Sequence, residues 1–111
     1  MKDRIEKIVS VLDKNKAESI EVFDLRKKNY FVDYAIIASS LGSRHTVALL
    51  DHLKNGLKPY ENFNNVDESG DWIVVDLGDV LIHIMTPEYR VKYDMEKFLS
   101  DLAEGKEGEA L

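Results

Sequence analysis

Gly78-Asp79 stands between two runs of β-branched and aliphatic residues, Trp72–Leu77 and Val80–Met85, and constrains this chain more than any other feature. A glycine–aspartate pair between β-favouring runs specifies a tight hairpin, because the loop needs a positive φ that glycine adopts without strain. The loop length also sets the register. Leu77 faces Val80, Val75 faces Ile82 and Ile73 faces Ile84, which makes one wholly aliphatic face. The other face carries Trp72, Val74 and Asp76 opposite Met85, His83 and Leu81, with Asp76 and His83 as diagonal neighbours. Either helices cover both faces and His83 is an ordinary core residue, or the Trp72 face is left for a partner. Thr86-Pro87 then ends the strand and opens a helix, with Thr86 as N-cap and Pro87 at the first helical position.

The rest of the chain supplies the covering elements. Residues 2–14 place Ile5, Ile8, Val9 and Leu12 on one helical stripe, and Asn15-Lys16 ends the helix. Ile20–Leu25 reads as a strand, followed by the basic loop Arg26-Lys27-Lys28-Asn29, which reads as a solvated connection. Asp33–Leu41 is a second strand, whose apolar centre Ala35-Ile36-Ile37-Ala38 suits burial on both faces. Ser43 is the expected N-cap of a helix over Arg44–Leu57, with Val47, Leu49, Leu50, Leu53 and Leu57 inward. Lys58–Asp71 reads as a long loop. A last helix runs from Pro87 to Leu102, with Val91, Met95, Phe98, Leu99 and Leu102 inward, and with Arg90–Asp94 and Tyr89–Tyr93 as i, i+4 pairs on its surface. The order α-β-β-α-β-β-α predicts an α+β fold on a mixed sheet. The Asp33–Leu77 passage permits a parallel crossover, and the hairpin forces an antiparallel pair. Residues 1–102 form the expected single domain, and 103–111 an acidic, disordered tail.

Charge narrows the partners. Net charge is −6, distributed as +2 over residues 1–30, +1 over 31–60 and −9 over 61–111. The acidic half expects little direct contact with nucleic acid and suits a basic protein surface. No cysteine is present, which fits a reducing cytoplasm and rules out a disulfide framework or a thiolate metal site. MKDRIEKIV reads as neither a signal peptide nor a membrane span.

Catalytic chemistry finds little footing. The Gly42-Ser43 turn at a helix N-terminus could hold a phosphate, which raises a nucleotidyltransferase-type enzyme binding magnesium and nucleotide as the alternative function. Such an enzyme needs two carboxylates one residue apart on a following strand. Asp76 and Asp79 are three apart across a hairpin tip and do not project in parallel. His45 and His52 share a helix face without a carboxylate to complete a metal site. His83 beside Asp76 is half of a triad with no serine assignable from sequence.

DYAIIASSLGSRHTVALLDHL followed by DWIVVDLGDVLIHIMTPEYRVKYDMEKFL resembles the Iojap family of ribosomal silencing factors, RsfS. The residues that carry the resemblance are Asp33-Tyr34, Ser43-Arg44-His45, Trp72, Asp76, Gly78-Asp79, His83, Arg90, Tyr93 and Glu96. The chain departs from the family pattern at Leu99, where members often carry a tryptophan. The resemblance implies a fold related to nucleotidyltransferases without their catalytic carboxylates or activity, and with no cofactor. It implies binding to the large ribosomal subunit through ribosomal protein uL14, where the small subunit docks. A bound factor then blocks subunit joining and lowers translation when nutrients are scarce. It also implies a homodimer in isolation. On this reading Trp72 is the apolar anchor, Asp76 and Asp79 pair with lysine or arginine across the interface, and His83, Arg90 and Tyr93 shape the patch.

Overall fold

Ile5, Ile8 and Leu12 recur one helical turn apart and point inward from α1 (Lys2–Lys14), with Val9 and Val11 packed on its flanks. Lys16, at φ 70, breaks the helix and leads into β1 (Glu18–Asp24). The computed structural model describes residues 2–28 and 30–104. The remaining elements are β2 (Tyr34–Ser39), α2 (Ser43–Leu57), β3 (Asn65–Ser69), β4 (Trp72–Asp76), β5 (Val80–Met85), α3 (Pro87–Tyr93) and α4 (Met95–Ala103). The expected disorder over 103–111 falls on residues 105–111, outside the described residues, while Ala103 closes α4.

The strands form one mixed sheet in the order β1-β2-β5-β4-β3. β2 and β5 run parallel at its centre, and the other neighbours are antiparallel. All residues of both central strands are buried. Such strands need cover on both faces, and that dictates the layers. Ile36, Ala38, Ile73, Val75, Ile82 and Ile84 meet α1 and α2 on one side. Ala35, Ile37 and Leu81 meet Leu99 and Leu102 of α4 on the other. The fold is α+β on a mixed sheet, as expected.

The hairpin has the register its loop dictates, with Trp72 opposite Met85, Ile73 opposite Ile84, Val74 opposite His83 and Asp76 opposite Leu81. Gly78 sits at φ 99, and a Cβ there would lie 3.1 Å from Asn64 Nδ2, so both backbone and space call for glycine.

Several expectations are corrected. Residues 65–69 are not loop but the edge strand β3, joined to β4 by Gly70-Asp71, the same dipeptide that makes the 78–79 turn. Val66 is its one apolar residue, and its contact with the α1–α2 core offsets a poor strand composition. The strand at 72–77 is therefore not the parallel partner reached from β2. The chain passes through α2 to β3 at the far edge and returns by two hairpins, so that β5 lies parallel to β2.

The last helix is likewise two helices. Asp94, in the left-handed region at φ 44 and ψ 45, ends α3 and starts α4. The break resets the helical phase. Val91, expected inward, is 81% exposed, whereas Arg90 is buried. At α2 the cap is Gly42 rather than Ser43. Thr46 takes the inward position expected of Val47, donating to Gly42 O at 2.9 Å and lying 2.6 Å from the Ser40 hydroxyl. Among the described residues no helix is long and apolar enough to cross a membrane.

Candidate docking surface

Trp72 is the first residue of β4, and the start of α3 comes down over it. The Thr86 N–H donates to Asp71 O at 3.0 Å, and Thr86 Oγ1 accepts from the Tyr89 N–H at 3.4 Å, so one residue ties the β3–β4 turn to the helix it caps. Tyr89 thereby lies 6.2 Å from Trp72 between ring centroids, and Tyr93, one turn on, lies 4.4 Å from Tyr89. The result is a run of three rings graded from half-buried Trp72 to Tyr93, which is 53% exposed. A hollow of about 190 Å³ beside it is lined by Asp71, Thr86, Glu88, Tyr89 and Lys92. Sequence reasoning placed Tyr89 only as a surface partner of Tyr93. The Thr86 cap is the signal that points its ring at Trp72.

Asp76 and Asp79 stand at the other end of the hairpin. At about 3.3 Å per residue, Asp76 is roughly 13 Å along the strand from Trp72. Asp76 Oδ1 accepts from the Gly78 N–H at 2.7 Å, so the carboxylate shapes the turn instead of reaching His83. Asp79 Oδ2 accepts from Arg4 Nη1 at 2.7 Å, and Arg4 also grips Glu61 through Nε (2.6 Å) and Nη2 (2.7 Å). The Arg4 hydrogen bond holds the Asp79 carboxyl below its ordinary range. Between the two ends run Val74 and, opposite it on β3, Asp67.

His83 and Arg90 lie beneath this surface rather than on it. His83 is flanked on the sheet by Val74 and Ile37, and its Nδ1 has no hydrogen-bond partner. Burial pushes the imidazole down to about 4, so it is neutral near pH 7. Arg90 uses four N–H donors: Nε to Glu96 Oε1, Nη1 to Ser19 O and to Ser39 Oγ, and Nη2 to Glu21 Oε2, all at 2.8 Å. Ser19 is a bulge residue at φ 49, where the β1 register shifts, and its carbonyl is aimed at the guanidinium. Glu96 is pushed down chiefly by Arg90, and Glu21 is pushed up chiefly by the hydrogen bond it shares with Glu96. The expected surface pair of Arg90 with Asp94 gives way to this network. Leu99, 1% exposed, is core, so α4 presents no anchor of its own there.

The Gly42-Ser43 turn offers little for nucleotide chemistry. The hollow there is lined by Leu41, Gly42, Ser43, Arg44, His45 and Ala48, without a carboxylate to hold magnesium. His45 is occupied at both nitrogens, Nδ1 accepting from the Leu41 N–H at 2.9 Å and Nε2 donating to Asn15 O at 2.8 Å. Exposed His52 lies on the same helix. Among the described residues no three His, Cys, Asp or Glu side chains gather as a metal site.

Comparison with known proteins bears on this geometry. A family model described as "Ribosomal silencing factor during starvation" matches residues 1–110. Ribosomal silencing factor RsfS of Haemophilus influenzae is 36% identical over 96 residues, covering 84% of this chain and 94% of that protein. Mitochondrial assembly of ribosomal large subunit protein 1 of mouse is 34% identical over 100 residues, and the match spans 43% of its length. A crystal structure of a Chromobacterium violaceum protein superposes with a TM-score of 0.84 at 27% identity, covering 90% of this chain and 86% of that one.

Two measurements check the buried pair. Arg90→Met strands Ser39, Glu21 and Glu96 without their common donor and should cost about 3 kcal/mol or more, lowering the thermal midpoint by roughly 10 °C. A midpoint shift of a degree or two would remove Arg90 from its structural role. For His83 the native state refuses a proton that the unfolded chain accepts from about pH 6.5 downward. Stability from this residue is therefore complete above that pH and is lost as pH falls toward 4, by up to about 3 kcal/mol. Urea denaturation of wild type and His83→Leu across this range should show the wild type losing more. Parallel curves would contradict the burial argument.

Proposed function

The chain belongs to the family of ribosomal silencing factors, RsfS, which includes the Iojap proteins, and on that premise we propose that it binds the large ribosomal subunit through ribosomal protein uL14. The bound protein blocks joining of the small subunit by occupying its docking site, and so lowers translation in the cytoplasm when nutrients are scarce.

The observation that carries this reading is the run of three rings, from half-buried Trp72 and Tyr89 to exposed Tyr93, beside carboxylates with no catalytic group among them. Aromatic side chains bring large contact area at low entropic cost and anchor interfaces. The −9 charge of residues 61–111 steers the surface toward a basic protein and away from wrong partners. Trp72 and Tyr93 make the apolar contact, and Asp76 and Asp79 meet lysine or arginine at the hairpin tip, Asp79 sharing its charge with Arg4. His83 and Arg90 act from within: His83 keeps the sheet beside Val74 uncharged, and Arg90 holds α3 in place. Nothing in this function requires a bond to be made or broken. Steric exclusion needs only residence, so affinity and rigidity are what the surface must supply.

Sucrose-gradient sedimentation with purified large subunits tests the reading. Wild-type protein should travel with the subunits, and protein that stays at the top of the gradient would end the proposal. Trp72→Ala should weaken binding by about 2 kcal/mol or more, with Tyr93→Ala as a second variant that leaves the fold undisturbed. Undiminished binding by both would move the interface elsewhere. The same reading includes a homodimer in the free protein. Sedimentation equilibrium giving the mass of one chain at micromolar concentration would refute that part.

A further inference from the structure

We propose that the β1–β2 loop, with the neighbouring face of α4, is a binding platform for single-stranded RNA, separate from the aromatic run at the opposite end of the sheet. The loop adjoins the hairpin tip, where the Asp33 N–H donates to Asp79 O at 2.7 Å. Tyr30 packs on the core beneath α4 and serves as a fixed base for two more rings. Phe31 lies 4.6 Å from it and is 68% exposed, and Phe98 lies 6.0 Å away and is 40% exposed. Two phenylalanines are thereby shown to solvent around a packed tyrosine.

The same loop carries three consecutive cations beside a hollow of about 390 Å³ lined by Asp24, Arg26, Lys27, Lys28 and Ala103. Asp24 binds Arg26 through Nε at 2.9 Å and Nη2 at 2.6 Å, and the Arg26 guanidinium covers the Tyr34 ring at 5.3 Å. Lys27 and Lys28 form no ion pair among the described residues. Asp24 is paired with Arg26, and residues 24–33 carry three cations, Arg26, Lys27 and Lys28, against Asp24 and Asp33, a net charge of +1. Positive charge is therefore available here although the whole chain is acidic, and the charge of the remaining chain is screened beyond about 8 Å at physiological salt.

Rings for bases beside lysines for phosphates match a polynucleotide with unstacked bases. An acidic peptide would use the lysines and leave the rings idle. A duplex would hide the π-faces that the rings need.

Fluorescence anisotropy of the full chain with a labelled oligouridylate tests the proposal. Two lysine–phosphate contacts predict that log K falls against log salt with a slope of about −1.4. Phe31→Ala should weaken binding about tenfold and Phe31→Trp should restore it. Lys27→Glu with Lys28→Glu should abolish binding. Phe31 is exposed, so the thermal midpoint of Phe31→Ala should match wild type, which separates lost stacking from lost folding. The proposal is overturned if wild type fails to bind at low salt, the result expected of a protein-binding patch. Equal affinity of Phe31→Ala, or equal competition by duplex RNA of the same length, would overturn it too.

Discussion

The parallel pairing of β2 with β5 is the contact on which the rest of the structure depends. Both strands are buried along their whole length, and neither face of such a pair tolerates water. α1 and α2 cover one face, and α4 covers the other. α4 is short and packs chiefly on the β1–β2–β5 side of its face, with Val74 of β4 at the edge of that cluster. The strip of β4 and β3 beyond it, from Trp72 through Val74 to Asp76 with Asp67 alongside, is left half-covered. The surface proposed for docking is thus the part of a two-faced sheet that the helices leave half-covered.

What holds that surface in shape is polar, one cluster buried and one at the hairpin tip. Arg90 joins α3 to the β1 bulge, to the end of β2 and to α4 in one guanidinium. Arg4 joins α1 to the 58–64 loop and to the hairpin turn. Both arginines use planar, multidentate geometry that a lysine could not reproduce. One fixes the aromatic end and the other the acidic tip, so the two ends of the hairpin keep their spacing. Rigidity of this kind suits the proposed steric role, because little ordering entropy remains to be lost on binding.

Within the hairpin, local chemistry leaves little freedom. A two-residue turn at Gly78-Asp79 sets the register, and alternation along the strands assigns each side chain to a face, so Ile73 with Ile84 and Val74 with His83 were readable as neighbours. The Thr86-Pro87 helix start was readable for the same reason. β3 was not, because Asn65, Asp67, Glu68 and Ser69 carry no strand preference. They are held by the β4 ladder and by Val66 alone, although Gly70-Asp71 repeats the turn signal. The break at Asp94 was equally hidden. An aspartate in the left-handed region leaves no mark in hydrophobic spacing, yet it turns Val91 outward and Arg90 inward.

Sequence by itself determined the α+β class, the central buried strand, the hairpin register, the family and the acidic character of the second half, because each follows from short-range pattern or from summed charge. Tertiary structure alone decided which of the marked residues are accessible. Trp72, Asp76, Asp79, His83, Arg90 and Tyr93 follow one another within twenty-two positions, but two are buried, two shape the tip and two stand on either side of Tyr89 at the far end. Burial and partnership depend on what arrives from distant parts of the chain: Ser19, Glu21 and Ser39 around Arg90, and Arg4 against Asp79. Those contacts span 51 to 75 residues, a separation over which no local pattern carries information.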